Sequence, residues 1–70
     1  MKEILKYLRQ LNSLTQEEAA AGISVSRQTY SKYEKGTVVP SDETVRRLAD
    51  LYNVRSNFIR KSLTKPYWNS

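Results

Sequence analysis

An all-α domain of five short helices is the fold class that this chain of 70 residues predicts, and three observations predict it. Apolar residues recur at i, i+3, i+4 and i+7 in its longer segments, the spacing of one helical face. Helix-start residues stand at Thr15, Ser26 and Ser41, each followed by a run of good helix formers. Strand-type alternation is nearly absent, and glycine and proline are scarce at two each.

The first helix is expected from about Lys2 to Leu11, with Ile4, Tyr7, Leu8 and Leu11 as its apolar stripe. The second opens at Thr15 and runs to about Gly22. Thr15 and Glu18 form a capping box, in which the hydroxyl and the carboxylate each satisfy an orphan backbone amide. Three alanines follow. They favour helix, and Ala20 is the best candidate for a close helix crossing, because only a few residues separate this helix from the next. The third helix starts at Ser26 as N-cap and ends near Lys35, with Gly36 closing it. The fourth starts at Ser41, where Asp42 and Glu43 suit the positive end of the helix dipole. Its stripe is Val45, Leu48, Ala49 and Tyr52, and Asn53 can take the left-handed conformation that ends it. The fifth runs from about Ser56 to Leu63 and carries Phe58, Ile59 and Leu63. The domain is therefore set at residues 1–63, with residues 64–70 as a C-terminal tail.

The third helix is the informative one. At about 100° per residue, Arg27, Ser31, Lys35, Gln28 and Lys32 fall within one arc of about 140°. Tyr30 and Tyr33 fall on the other side, as core anchors. Glu34 sits at the boundary. The polar arc carries donors for base edges or phosphates and no acid to repel them.

Composition narrows the function. Lys and Arg number 12 against 7 Asp and Glu, a net charge of +5, and from Arg55 onward there are four basic residues and no acidic one. Such an excess points to a polyanionic partner, nucleic acid first. With no cysteine and no histidine, disulfides, thiolate metal sites, imidazole catalysis and the usual zinc sets are excluded. There is no glycine-rich phosphate loop, so no enzyme and no cofactor is expected. No apolar run approaches the roughly 20 residues of a membrane span, and the start is not a signal peptide, so a cytoplasmic protein is expected.

The pattern Thr15-Gln16-Glu17-Glu18-x-Ala20, then Val25-Ser26-Arg27, Tyr30-Ser31-Lys32-Tyr33-Glu34-Lys35-Gly36, Pro40-Ser41 and Leu48-Ala49-x-Leu51-x-x-Val54 resembles the Cro/CI-type helix-turn-helix family of phage-lambda-like repressors. The likeness runs from about Leu8 to Ile59. It implies a five-helix lambda-repressor-like fold whose second and third helices form a central helix-turn-helix, the third entering the major groove of double-stranded DNA. It implies base reading by Arg27, Gln28, Ser31 and Lys32. For phosphate contact, Gln16 matches the family's phosphate-clamping glutamine, and Ser26, Lys35 and Thr37 are expected beside it. Arg9 and Glu34 match a family pair bridging the first helix to the end of the recognition helix.

The sequence departs from the family in four places. Ser24 stands where the turn usually has glycine, so either Ser24 takes an unusual backbone or the turn differs. Gly22 lies in the last turn of the second helix. Ala19 replaces a larger aliphatic residue, leaving space for Tyr30 or Tyr33. The loop Thr37-Val38-Val39 lacks a lysine or arginine.

The function expected is a sequence-specific DNA-binding transcriptional regulator, a repressor in the first instance. An antitoxin or protein-interaction adaptor on the same fold is the alternative, and such a module should have acidic or apolar residues where this chain has donors. Partners are a DNA operator and, in a weak homodimer, a second copy, with Phe58, Tyr67 and Trp68 as candidate contacts. No small-molecule effector is evident.

Overall fold

The computed structural model describes residues 4–63, with side chains to residue 61. Its helices are α1 (Ile4–Leu11), α2 (Gln16–Gly22), α3 (Arg27–Lys35), α4 (Asp42–Tyr52) and α5 (Ser56–Leu63). The tightest pairing is α2 with α3. α4 packs on α5 and α2, and α1 closes the other side against α3 and α5. This all-α arrangement around a central helix-turn-helix has the lambda-repressor-like topology.

The starts follow from their caps. Thr15 Oγ1 accepts the Glu18 N–H at 3.0 Å while Glu18 Oε1 accepts the Thr15 N–H at 2.9 Å, the reciprocal pair of a capping box. Ser26 accepts the Thr29 N–H at 3.1 Å, and Ser41 accepts the Thr44 N–H at 3.2 Å. Each such cap stabilises its helix by about 1 kcal/mol.

The ends of α1 to α4 share one device. The residue after the last turn takes φ of 56° at Ser13, 61° at Ser24, 79° at Gly36 and 56° at Asn53. The following amide then reaches back to a carbonyl in the helix: Leu14 to Arg9 at 3.1 Å, Val25 to Ala20, Thr37 to Lys32 and Val54 to Ala49 at 3.0 Å each. These are Schellman closures, which satisfy carbonyls the helix itself leaves open. At the helix-turn-helix junction Ser24 takes the left-handed backbone, the first of the two alternatives the sequence allowed.

The core gathers apolar side chains from all five helices. Leu5, Ile23, Leu48 and Ile59 are at most 1% exposed, and the stripe Val45, Leu48, Ala49 and Tyr52 is wholly buried. Truncating a side chain so enclosed to alanine costs about 2–5 kcal/mol. The α1 stripe needs correction. Ile4 and Leu8 are buried, but their companion is Leu5; Tyr7 and Leu11 are 55% and 63% exposed. α1 presents the 4–5–8 edge to α3 and α5, which rotates Tyr7 and Leu11 outward.

Small residues sit where helices cross closely. Ala19 and Ala20 are both buried on α2. A Cβ added to Gly22 would lie 2.9 Å from Leu51 Cδ1, so the helix-unfavourable glycine admits a leucine of α4. Tyr30 of α3 is fully buried and its hydroxyl meets that of Tyr52 on α4 at 2.5 Å. Burial in apolar surroundings pushes both phenols above their ordinary pKa, so both stay neutral.

Candidate nucleic-acid interface

α3 turns its two tyrosines inward and its donors outward. Tyr30 and Tyr33 belong to the core, whereas Arg27, Gln28, Lys32 and Lys35 are exposed and Ser31 is partly so. The amphipathic spacing of RQTYSKYEK produces this division: residues 30 and 33 lie on one side, and residues 27, 28, 31, 32 and 35 on the other.

The one acid of α3 is withdrawn from that surface. Glu34 Oε2 accepts Arg9 Nε at 2.7 Å and its Oε1 accepts Arg9 Nη2 at 3.3 Å, with side-chain exposures of 6% for Glu34 and 13% for Arg9. Arg9 Nη1 also donates to the Leu14 carbonyl at 3.0 Å. Gln16 Nε2 donates to Glu34 Oε1 at 2.9 Å. Burial alone would raise the Glu34 carboxyl, but the hydrogen bonds from Arg9 and Gln16 outweigh it and hold its pKa below the ordinary value. The same bond from the other side raises Arg9, against the opposing effect of its own burial.

The start of α3 differs from those of α2 and α4. Those two carry acids in their first turn, Glu17 and Glu18 or Asp42 and Glu43, and α3 carries none. The positive end of its dipole is not offset by a carboxylate of its own first turn.

A helix-turn-helix family profile matches residues 5–59. The chain belongs to the Cro/CI-type helix-turn-helix family. It is 50% identical over 50 residues to the cryptic phage CTXphi transcriptional repressor RstR of Vibrio cholerae, a match covering 71% of this chain and 45% of RstR. It is 44% identical over 55 residues to the HTH-type transcriptional regulator MJ0272 of Methanocaldococcus jannaschii, covering 79% of this chain and 83% of that protein. It is 34% identical over 55 residues to the HTH-type transcriptional regulator ImmR of Bacillus subtilis, covering 79% of this chain and 43% of ImmR. The chain thus spans less than half the length of RstR and ImmR. No solved structure matches it significantly.

In this Cro/CI-type frame α2 and α3 are the helix-turn-helix, and the residues read from sequence fall at distinct places. Arg27, Gln28, Ser31, Lys32 and Lys35 share the outer side of α3, with Ser26 just before it and Thr37 just after it. Gln16 stands at the first position of α2, tied to the end of α3 through Glu34. That tie is a link the sequence did not give. Ser26 is also more constrained than its residue type implies: its hydroxyl donates to Thr29 Oγ1 at 2.9 Å. The proton is thereby used within the helix start.

Elsewhere, Arg47 joins Glu43 at 2.9 Å and also donates to the Ile23 carbonyl at 3.4 Å, linking α4 to the turn between α2 and α3. Arg60 pairs with Asp42 across α5 and α4. Exposed pairs of this kind stabilise by less than about 1 kcal/mol. Phe58, a candidate contact in the sequence, is 47% exposed; Ile59 beside it fills the core. Tyr67 and Trp68 lie outside the described residues. Among the described residues no helix is long and apolar enough to cross a membrane, and no cluster of acidic, histidine or cysteine residues is placed to hold a metal ion.

Proposed function

We propose that this chain is the DNA-binding part of a transcriptional repressor, reading a specific double-stranded operator with α3 in the major groove. The observation that carries the reading is the charge arrangement of α3. Its exposed side presents donors, and its only carboxylate is drawn inward onto Arg9. Gln28 bonds bidentately to adenine, Arg27 or Lys32 to guanine, and Ser31 contacts a base edge beside them. Gln16, the Ser26 backbone amide, Lys35 and Thr37 hold flanking phosphates. The naming of RstR as a phage repressor, and of the other two relatives as transcriptional regulators, supports this assignment. One such helix covers few base pairs, so the working form is a weak dimer on two half-sites about one helical turn apart, with Phe58, Tyr67 and Trp68 as contacts.

Selection from a random duplex pool supplies the operator for the test. Gln28→Ala and Lys32→Ala are each expected to weaken binding to it by about 1–3 kcal/mol while the fold persists. Affinity should also fall with salt, with a log–log slope near −0.9 per neutralised phosphate. Wild-type affinity in both variants, or a flat salt response, overturns the reading.

A further inference from the structure

Resting on the reading above, we propose that Glu34 is a positioning residue for DNA binding, acting through Gln16. A primary amide has two N–H donors and an acceptor oxygen. In Gln16 one N–H goes to Glu34 Oε1 at 2.9 Å. The residue is partly exposed, and no other side-chain bond of Gln16 is made within the described residues. A second N–H is therefore available to a ligand oxygen. The anchor itself is rigid. Both carboxylate oxygens are fixed by Arg9, and Arg9 is fixed to the Leu14 carbonyl, two residues before Gln16 in the chain. The amide thus cannot turn without breaking a bond to a carboxylate that cannot follow it.

The charges explain why an acid can serve here. A bare carboxylate beside a phosphate oxygen would repel it. Glu34 is buried against Arg9, so the pair presents almost no net charge while its oxygen still accepts from the amide. The outcome is a neutral donor held in one direction before the ligand arrives. Fixing a mobile side chain in advance is worth roughly two- to twelve-fold in affinity.

The test uses the full chain and the selected operator, with affinities read by fluorescence anisotropy at a temperature where circular dichroism finds every variant folded. Gln16→Ala is expected to weaken binding about ten-fold, near the lower end of the loss for one hydrogen bond to a charged group. Glu34→Ala should match it, and the double variant should fall no more than about two-fold below either single, because both remove one device. Glu34→Gln keeps an acceptor oxygen for Gln16 but discards the ion pair. It should lose thermal stability yet bind within about three-fold of wild type, a split that a purely structural role does not produce. Should Glu34→Ala fail to fold, side-chain amide relaxation in the wild-type protein decides instead. The Gln16 amide is expected to be ordered on the ps–ns timescale and the exposed Gln28 amide mobile. Additive losses, binding by Glu34→Gln that falls in step with its stability, or a Gln16 amide as mobile as Gln28 overturns the inference. Wild-type binding by Gln16→Ala, with Gln28→Ala and Lys32→Ala still impaired, sinks this inference and leaves the DNA reading standing. Unimpaired binding by all three sinks both.

Discussion

Replacing Ser24 with glycine is expected to stabilise the fold. Ser24 holds φ at 61°, in the left-handed region. An L-residue there costs about 1–2 kcal/mol, from the approach of Cβ to a carbonyl oxygen. Glycine relieves that, but its freer unfolded chain returns about 0.5–1 kcal/mol. The net gain is about 0.5–1 kcal/mol. Nothing else is lost, because Ser24 is exposed and the turn is held by backbone bonds, Ser24 to Ala21 at 3.2 Å and Val25 to Ala20 at 3.0 Å. For a domain of this size 1 kcal/mol moves the melting temperature by about 4–8 °C, so a rise of about 2–8 °C is expected in far-UV circular dichroism melts. Ser24→Ala keeps the strained backbone and should gain nothing comparable. Gly36→Ala is the reverse experiment. Its φ is 79° and an added Cβ meets nothing within 4 Å, so any loss, expected near 1 kcal/mol, comes from the backbone alone. The reasoning is refuted if Ser24→Gly leaves the melting temperature unchanged or lowers it, or if Ser24→Ala raises it equally.

Two further outcomes concern the buried polar groups. Arg9→Ala and Glu34→Ala should each destabilise by about 3 kcal/mol, because each leaves an unpaired, largely buried charge, and the double variant should lose much less than the sum; a coupling energy near zero in a denaturation cycle removes the pair from the account. The pH response follows from the shifts. Glu34 is lowered on folding, so its contribution is full above the ordinary carboxylate value of about 4.3 and is lost as pH falls through the lower folded pKa. Tyr30 and Tyr52 are raised, so their contribution is full below about pH 10 and is lost as pH rises beyond it. Urea midpoints across pH check both ends, and Tyr30→Phe should flatten the alkaline limb; an unchanged slope there contradicts the assignment.

Local chemistry made most of the helix boundaries legible. The capping box at Thr15 and Glu18, the serines at 26 and 41, and the closures at Gly36 and Asn53 are short-range devices, complete within a few residues. What escaped the sequence needed tertiary geometry. Ile4, Leu5 and Leu8 form an apolar edge on α1 as good as the 4–7–8–11 stripe, and only the positions of α3 and α5 choose between them. Phe58 and Ile59 are adjacent apolar residues, and the angle at which α5 docks decides which enters. Gly22 reads as a weak helix residue until Leu51 is seen against it. The Gln16–Glu34 bond joins residues 18 apart, and nothing in either residue type signals the other.

The Tyr30–Tyr52 hydroxyl contact has a consequence for aim. Together with the Arg9–Glu34 bond it fastens α3 at two points, to α4 through one and to α1 through the other. A helix with its side chains is about 10–12 Å across, so a turn of about 20° about its axis swings a surface atom by about 2 Å. That displacement separates a hydrogen bond from none. Apolar packing tolerates such slippage because it has no preferred direction, whereas two polar bonds on different neighbours do not. In this small core the pair of phenols acts as an angular stop, setting the bearing at which Gln28 and Lys32 point away from the protein.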